Sequence, residues 1–449
     1  MDSTSFSGPS AAPSPILEPQ TDSKAIPVPG SSWRVFKFGG ASVKDAAAVR
    51  NAVHLVRTHG QAPLAVVVSA MAKTTNALEA VVQALESGHT EQAFQTLAEI
   101  ALFHEEVVHD LELGGTGLLD ELRSHWNELL QTPASSYAAR YDAVVGGGEW
   151  ASARILTEAL QAAGVAAQWQ DAQACIVTSN DHRRASVDFE STAQKLRHWP
   201  TKDVVVTQGF VGATADGAPT TLGREGSDYT AAVLAFCLDA TEVTIWKDVP
   251  GVLSGDPRFF PHPTQLEVIP YREAIELAYY GASVIHPKTI QPLQAKGISL
   301  RVRSFVDSQA PGTVVRDADK LIPRVPCFIR KANQVLVSVA SRDLRFLAEK
   351  DLASLYRLFY EHGAEVNAVQ HGATQSAFSL TFDPMVFPLL LDALKAVYRV
   401  SYNAGLTLFT VRHPDGDAQD WVRAQGEMLL EQSTRSTFQA LLRTEKESL

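Results

Sequence analysis

Short apolar runs alternate with helix-length amphipathic segments along the first half of the chain. The runs at residues 35–38, 64–69, 204–206 and 242–246 are predicted strands. Apolar residues at helical spacing predict helices over about 75–113, 118–130, 149–163 and 227–238. Because alternating buried strands and helices form parallel sheets, this pattern predicts an α/β fold with a mostly parallel central sheet flanked by helices. Its ligands should lie beyond the carboxyl ends of the strands.

The pattern changes after about Ile322. Strands are predicted at 334–340, 365–370 and 376–382, and helices at 350–362 and 388–397, which is the order of a small α+β module. A strand at 400–412, a helix at about 418–430 and a strand at 437–442 predict a second, abbreviated module.

These changes divide the chain into three predicted regions. Residues 1–32 are rich in serine and proline, and they lack the apolar or basic amphipathic pattern of a targeting segment, so we expect a disordered tail. We expect residues 33–322 to form one domain and residues 327–449 to form a C-terminal region, with the boundary near residues 323–326.

Composition narrows the range of partners. The chain has 449 residues, with 39 basic and 50 acidic side chains and a formal net charge of −11. An acidic chain without a basic block is a poor candidate for binding nucleic acid or an anionic membrane surface. Its apolar runs are also far shorter than the roughly 20 residues that cross a bilayer. We therefore expect neither a nucleic-acid partner nor a membrane partner.

The cysteines and histidines give no sign of a metal site. Cys175, Cys237 and Cys327 are far apart and odd in number, which excludes a disulfide framework and a CxxC site and favours the reducing cytoplasm. His104 and His109 are five residues apart, a spacing that does not put two ligands on one helical face. We expect packing or surface roles for these histidines and no protein-bound metal.

A lysine and two glycines mark the end of the first predicted strand. Lys37, Gly39 and Gly40 precede a predicted helix. Glycines let backbone N–H groups approach an anion, a helix start favours negative charge, and the lysine could supply a point charge to a phosphate. The lysine precedes the glycines, so this is not the P-loop order, and a plain turn explains the segment more readily when it is taken alone.

Residues 220–228 form a second glycine-containing turn before a helix. Ser227 or Asp228 would serve as the N-cap of that helix, which explains one of them without any ligand. Capping does not explain Arg224. A guanidinium beside a glycine turn can form two parallel hydrogen bonds with a carboxylate or a phosphate.

Residues 246–258 form a third segment of this kind, again at a strand end. Its Pro-Gly and Asp-Pro pairs are ordinary turn residues. Lys247 and Arg258 nevertheless add two cations at the same edge of the predicted sheet.

Seven short stretches of the chain form a pattern when they are taken together. They are residues 37–42, 68–70 with 74–76, 148–149, 208–210, 220–228, 246–258, and 276–278 with 281–282 and 285–287. In this order they resemble aspartate kinases of the amino-acid kinase superfamily, and the resemblance covers roughly residues 35–313. The part after Gln334 resembles the ACT regulatory modules, of βαββαβ order, that follow the catalytic domain in that family.

The resemblance implies a particular reaction. The γ-phosphoryl of MgATP would pass to the side-chain carboxylate of L-aspartate and give 4-phospho-L-aspartate, the first step of lysine, threonine and methionine biosynthesis. The carboxylate is already ionised at pH 7, so catalysis would depend on positioning and charge neutralisation. Mg²⁺ would arrive on ATP and keep several waters, so no dedicated protein cage is expected.

The resemblance also implies roles for individual residues. Lys37 would neutralise the transferring phosphoryl group, and Asp228 would orient Lys37. Arg224 would bind the α-carboxylate of the substrate and Glu149 its α-ammonium group. The remaining implied residues are Gly39 and Gly40 for the phosphoryl group, Ser69, Thr75, Phe210 and Ser227 for aspartate, and Lys247, Asp248, Leu253 and Arg258, with Lys37, for the nucleotide.

The chain departs from the family pattern at two places. Glu225 replaces a glycine that many relatives have before Gly-Ser-Asp, and we expect this change to be harmless in an exposed turn. Ser283 stands where many relatives carry a lysine that contacts the nucleotide, whereas Lys247 stands where they have threonine. We therefore expect Lys247 to supply the cation that Ser283 does not.

Two alternatives remain open at this point. One is a kinase of glutamate, N-acetylglutamate or UMP; Glu149 with Arg224 favours a free α-amino acid, and the ACT-like region favours aspartate. The other is a non-catalytic protein that senses amino acids, which the presence of Lys37, Arg224 and Asp228 together disfavours.

The C-terminal region also predicts an assembly. Residues 334–340 are too apolar to remain a bare sheet edge in solution, so we expect a homodimer through residues of about 327–449. An amino-acid effector such as lysine or threonine would then bind at that interface, near Asn367 and Gln370. The sequence does not choose between the two effectors.

Overall fold

The N-terminal part of the protein, residues 33–322, is built on an eight-stranded sheet. We describe the fold from a computed structural model, whose described residues are 33–131, 134–282, 285–343 and 345–444. The predicted tail and Ser283 lie outside these residues. The strands are β1 (Arg34–Phe38), β2 (Leu64–Val68), β3 (Ala167–Trp169), β4 (Val204–Gln208), β5 (Val211–Ala213), β6 (Pro219–Thr221), β7 (Glu242–Lys247), β8 (Val268–Pro270), β9 (Ser299–Ser304) and β10 (Thr313–Arg316).

The sheet has the mostly parallel order that the sequence pattern predicts. β5 and β6 form a separate hairpin, and the other strands lie in the order β3-β4-β2-β1-β7-β9-β10-β8. Every neighbouring pair in this sheet is parallel except β9 with β10. The carboxyl ends of β1, β2, β4 and β7 therefore meet at one edge of the sheet.

Helices cover both faces of this sheet. They are α1 (Ala46–His59), α2 (Thr74–Glu86), α3 (Thr90–Asp110), α4 (Leu118–Leu129), α5 (Tyr137–Val145), α6 (Gly147–Ala162), α7 (Ala172–Cys175), α8 (Phe189–Leu196), α9 (Gly226–Cys237), α10 (Tyr271–Tyr280) and α11 (Pro287–Lys296). One core packs α1, α2 and α6 on the sheet, and a second core packs α9, α10 and α11 on its other face. Every residue of β2 is buried, as a strand covered on both faces should be.

The predicted helical stretch 75–113 is two helices. It is interrupted between α2 and α3, where Gly88 adopts a left-handed φ of 76°. Glycine adopts that conformation without steric cost, so it ends one helix and lets the chain turn into the next. No helix among the described residues is both long enough and apolar enough to cross a membrane.

The C-terminal part, residues 327–444, forms one six-stranded antiparallel sheet. Its elements are β11 (Cys327–Ala340), α12 (Glu349–Glu361), β12 (Val366–His371), β13 (Gln375–Thr381), α13 (Phe387–Val397), β14 (Arg399–Arg412), α14 (Gly416–Arg423), β15 (Glu427–Ser433) and β16 (Thr437–Arg443). The strand order is β12-β13-β11-β14-β16-β15. The first six elements have the predicted βαββαβ order of an ACT-like module.

Two expectations for the C-terminal part are wrong. Residues 334–340 are not a sheet edge, because they pair with β13 on one side and with β14 on the other. The helix predicted over 418–430 ends at Arg423, and β15 follows it. Gly426 explains the change, since a Cβ there would lie 2.3 Å from the backbone oxygen of Arg443 on β16. Only glycine allows the chain to approach β16 this closely.

A buried ion pair joins the N-terminal and C-terminal parts. Arg412 on β14 donates two hydrogen bonds to the carboxylate of Glu273 on α10, at 3.0 and 2.8 Å. Arg412 is 7% exposed and Glu273 is 8% exposed. The imidazole Nε2 of His413 lies 3.2 Å from the same carboxylate. Burial alone would raise the pKa of Glu273, but Arg412 and His413 outweigh it and lower that pKa.

Replacing Arg412 should therefore destabilise the fold. Arg412→Met leaves the Glu273 carboxylate buried without its partner, and we expect the free energy of unfolding in urea to fall by about 3–5 kcal/mol at pH 7. Because the pKa of Glu273 is lowered in the folded state, this contribution is present at neutral pH and is lost as the pH falls through that lowered value. Arg423→Met is the control, since Arg423 pairs with Glu431 at the surface, and it should cost less than about 1 kcal/mol. Equal losses in the two variants would contradict this prediction.

Candidate active site

The residues that the sequence singles out surround a cavity at the carboxyl edge of the parallel sheet. Lys37 on β1 lies beside Val67 of β2 and Ile245 of β7, in register with both. The cavity has a volume of about 530 Å³. The predicted residues that line it are Lys37, Gly40, Ser69, Thr75, Glu149, Phe210, Arg224, Ser227 and Asp228.

An ion pair lies at the floor of this cavity. The Nζ atom of Lys37 is 2.6 Å from Oδ1 of Asp228, in the first turn of α9, and Nζ of Lys247 is 3.7 Å from Oδ2. Asp228 is 1% exposed. Burial alone would raise its pKa, but the two ammonium groups lower it. Asp228 is therefore an ionised carboxylate that holds the ammonium group of Lys37 in place.

Two glycines allow the loops of the site to pack closely. A Cβ on Gly40 would lie 2.7 Å from the backbone oxygen of Ala70, in the loop after β2. A Cβ on Gly209, after β4, would lie 2.5 Å from Cβ of Ser227. Larger residues would separate these loops. Close packing therefore explains the glycine at position 40, in addition to any contact with a ligand.

Glu149 is a buried carboxyl group beside the same lysine. It lies in the first turn of α6 and is 3% exposed. Burial raises its pKa to about 8, even though Lys37 and backbone hydrogen bonds act in the opposite direction. Its Oε2 atom has no hydrogen-bond partner within the part of the chain that is described. A cation entering the cavity would supply that partner and would favour the ionised form of Glu149.

The turn before α9 differs from the expected N-cap. Ser227 and Asp228 lie inside the first turn of α9, and the helix is preceded by Glu225, whose side chain makes no capping hydrogen bond. The N-cap assignment of Ser227 or Asp228 is therefore wrong. Glu225 has a left-handed φ of 56°, a conformation that favours glycine, and it is exposed. Its neighbour Arg224 is also exposed and lies at the rim of the cavity.

The sequence reasoning missed a polar network behind the cavity. Asp142 on α5 is fully buried and accepts hydrogen bonds from Nδ1 of His182 at 2.8 Å and from Oγ1 of Thr221 at 2.6 Å. It also accepts from the backbone N–H of Arg183, which has a left-handed φ of 68°. The guanidinium of Arg183 lies 4.4 Å from the ring centre of Tyr141, and both residues line the cavity. No local motif marks this network, because its members are widely separated along the chain.

Four residues predicted for the nucleotide do not line this cavity, namely Lys247, Asp248, Leu253 and Arg258. Of these, only Lys247 approaches Asp228. Arg258 is exposed, and its Nε atom donates to Oδ1 of Asp256 at 3.0 Å. Leu253 forms an isolated bridge with Gln265, and Asp248 is exposed at the end of β7. Among the residues described, no group of His, Cys, Asp and Glu side chains could hold a metal ion.

Comparisons with known proteins point to one family. The model of the Amino acid kinase family matches residues 32–304. The chain is 33% identical to lysine-sensitive aspartokinase 3 of Escherichia coli (strain K12) over 83% of this chain and 85% of that protein. It is also 33% identical to bifunctional aspartokinase/homoserine dehydrogenase 2, chloroplastic, of Zea mays over 70% of this chain and 35% of that protein. The chain therefore spans about a third of the length of that bifunctional relative.

A solved structure agrees over nearly the same length. The crystal structure of E. coli aspartokinase III in complex with aspartate and ADP matches with a TM-score of 0.76 and 29% identity, over 91% of this chain and 96% of that chain. The family model covers more than half of the chain, and the chain covers most of the E. coli aspartokinase. The protein is therefore a member of the amino acid kinase family and belongs among its aspartokinases.

Proposed function

We propose that the protein is an ATP-dependent aspartate kinase that makes 4-phospho-L-aspartate, the first step of lysine, threonine and methionine biosynthesis. The observation that carries this proposal is the Lys37–Asp228 ion pair of 2.6 Å at the floor of a cavity that also contains Arg224 and Glu149. In that arrangement Lys37 is a fixed cation that can bind a phosphoryl group. Arg224 and Glu149 are a cationic and an acidic group that can bind the two charged groups of an amino acid.

The chemistry requires little beyond charge and position. An oxygen of the aspartate side-chain carboxylate forms a bond with the γ-phosphorus of MgATP, while the bond to the β–γ bridging oxygen breaks and ADP leaves. Lys37, oriented by Asp228, neutralises charge on the transferring group, and the amides of Gly39 and Gly40 add hydrogen bonds. No general base is needed, because the attacking carboxylate is already ionised.

Substrate recognition would use the two charged groups of the α-carbon. Arg224 at the rim binds the α-carboxylate, and Glu149 binds the α-ammonium group. Binding of an ammonium group stabilises the ionised form of Glu149, which burial otherwise disfavours. This pairing favours a free α-amino acid over N-acetylglutamate or UMP. The remaining aspartate contacts in this proposal are Ser69, Thr75, Phe210 and Ser227, all of which line the cavity.

The nucleotide would lie on the side of β7. Lys247 already approaches Asp228 to 3.7 Å, which supports a role beside the phosphates in place of the lysine that relatives have at the position of Ser283. The other proposed contacts are Asp248, Leu253 and Arg258. A Lys247→Thr variant with normal ATP kinetics would remove this assignment of Lys247.

We further propose that residues 33–322 are the catalytic domain and residues 327–449 a regulatory region. The separate sheets of the two parts support this division, which limited proteolysis near residues 317–326 would test.

The lysine sensitivity named for the E. coli relative supports lysine as the effector. A cytoplasmic location fits the three free cysteines and can be checked by cell fractionation.

We also propose a homodimer through the C-terminal part, on the basis of its edge strands and its exposed apolar side chains. The edge strands of the C-terminal sheet are β12 and β15 rather than residues 334–340. Apolar side chains at Tyr360, Met385 and Leu389 are 65–86% exposed on the same part, and pairing would cover them. Gln370 lies on the exposed edge strand β12, whereas the amide of Asn367 is already bonded to three side chains: Lys331, Gln334 and Thr381. A monomer in light scattering at micromolar concentration would contradict the dimer.

The reaction itself can be trapped. An acyl phosphate is an activated carboxyl group, so hydroxylamine should convert the product of MgATP and L-aspartate into aspartyl hydroxamate, measured by its ferric complex. L-glutamate and N-acetylglutamate are the control acceptors in this assay and should give little hydroxamate. UMP has no carboxyl group to trap, so it is tested by release of ADP, which should also be low. Turnover of one of these in place of aspartate would overturn the proposed substrate.

Substitutions in the site should separate chemistry from binding. Lys37→Ala should lower kcat roughly 100-fold or more, because its charge is needed most as the phosphoryl group transfers. Arg224→Ala should mainly raise the KM for aspartate, by roughly 10- to 100-fold, because a charged hydrogen bond to the α-carboxylate serves ground and transition states alike. Arg197→Ala, at an exposed arginine after α8, is the matched control. An unchanged aspartate KM in Arg224→Ala would remove that assignment.

Aspartate affinity should depend on the ionisation of Glu149. With a pKa of about 8, Glu149 is protonated at pH 7 before aspartate binds, and binding of an ammonium group must release that proton. We therefore expect the Kd for aspartate to fall as the pH rises from 6 to 8 and to level off above that range. Calorimetry at pH 7 in buffers of different ionisation enthalpy should find the release of about one proton per aspartate. Glu149→Gln should bind more weakly and release none; a variant that keeps the pH dependence would assign the proton to another group.

A further inference from the structure

The two halves of the C-terminal sheet are covered differently. In the first half, both α12 and α13 pack on one face, where Phe359, Leu390 and Leu394 share an apolar cluster with the strand residues Val337 and Phe378. The second half contains the end of β14, α14, β15, β16 and the first residues of β11. Within the described residues, α14 is the only helix that covers it. A single helix covers only part of this apolar face, so the C-terminal part itself does not cover the remainder.

A phenylalanine from the N-terminal part fills the gap. Phe260 is 4% exposed and belongs to the apolar cluster of the second half, whose other members all come from the C-terminal part. Its ring centre lies 5.0 Å from that of Phe328 on β11, 5.2 Å from that of Trp421 on α14 and 6.4 Å from that of Phe409 on β14. These are normal separations for packed aromatic pairs. The side chain therefore completes a core that is otherwise formed by a different part of the protein.

Phe260 belongs to a tight turn that also contains Arg258. The backbone oxygen of Asp256 accepts the N–H of Phe260 at 2.8 Å, and the carboxylate of Asp256 accepts the backbone N–H of Arg258 at 3.0 Å. A Cβ on Gly255 would lie 3.0 Å from the ring of Phe260, so a larger residue would have to displace that ring slightly where the turn folds over it. The position of the ring thereby constrains Asp256 and Arg258.

A backbone hydrogen bond ties the same turn to the C-terminal sheet. The N–H of Phe328, near the start of β11, donates to the backbone oxygen of Ser254 at 2.6 Å. Ser254 in turn is held by Thr264, whose backbone oxygen accepts the Ser254 N–H at 2.8 Å. Residues 254–260 are thus anchored at one end by a backbone bond and at the other by a buried aromatic ring.

We propose that Phe260 is a positioning residue for the nucleotide. By completing the core beside α14, it fixes the backbone of residues 254–260, from which the guanidinium of Arg258, here bonded to Asp256, would reach the phosphates of MgATP. It also makes nucleotide affinity depend on the packing of the C-terminal part. This inference rests on the proposed function in one respect, the assignment of Leu253 and Arg258 to the nucleotide side.

Nucleotide binding in the full chain tests this role. We expect Phe260→Ala to weaken binding of the magnesium complex of AMP-PNP about tenfold by calorimetry, and to raise the KM for ATP similarly, while the KM for aspartate changes less than about twofold. Trp421→Ala removes the opposite side of the contact and should shift the same two quantities, although Trp421 lies in the C-terminal part. Phe260→Leu keeps most of the buried volume and should retain an affinity close to that of the unchanged protein.

A purely structural role would give different results. Phe378→Ala is the matched control, because Phe378 is a fully buried phenylalanine in the first half of the same sheet. It should lower Tm without changing AMP-PNP affinity. Normal AMP-PNP affinity in folded Phe260→Ala or Trp421→Ala would overturn the inference, as would an equal rise in the aspartate KM. If Phe260→Ala does not fold, AMP-PNP affinity is measured instead in Trp421→Ala and in the milder Phe260→Val, and normal affinity in these variants would overturn the inference.

Failure of the proposed function can be distinguished from failure of this inference. AMP-PNP binding is measured without turnover, so absence of aspartyl hydroxamate in the unchanged protein would refute the substrate assignment alone. The comparison of Phe260→Ala with Phe378→Ala would still decide the role of Phe260.

Discussion

The ion pair between Lys37 and Asp228 is the contact on which the site depends. A carboxylate that is 1% exposed stays ionised only because ammonium groups lie beside it, and the lysine in turn is fixed by that carboxylate. Lys247 approaches the other oxygen of the same carboxylate, at 3.7 Å. Two lysines are therefore grouped at this end of the cavity, and such a group of cations attracts an anionic ligand such as a nucleotide phosphate. The Lys37–Asp228 pair fixes the position of the first of these cations.

The topology of the sheet makes this contact possible. Lys37 lies on β1, and Asp228 lies in the first turn of α9, which packs over β1 and β2. Parallel strands place the ends of β1, β2, β4 and β7 side by side, although they are separated by long stretches of chain. Helix starts at this edge also bring Glu149 next to Lys37. A site assembled from so many segments needs close packing between loops, which Gly40 and Gly209 permit.

The sequence predicted those parts of the structure that depend on local pattern. Buried strands such as β2 and β4 stand out as apolar runs, and Lys37, Arg224 and Asp228 stand out within glycine turns. Non-local contacts were not predictable in this way. Residues 334–340 are equally apolar in an edge or an internal strand, and only their partners on both sides decide the matter. Asp142 gives no local sign of its role, because its partners come from distant loops.

The two links between the parts of the protein converge on one strand pair. Cys327 and Phe328 of β11 are in register with Arg412 and Val411 of β14. Phe328 bonds to the turn that carries Arg258, and Arg412 holds Glu273 on α10. A movement at this end of the strand pair would therefore change both contacts with the N-terminal part, the apolar one and the charged one. β11 and β14 continue through both halves of the C-terminal sheet, so the same two strands connect its first half to both contacts with residues 33–322.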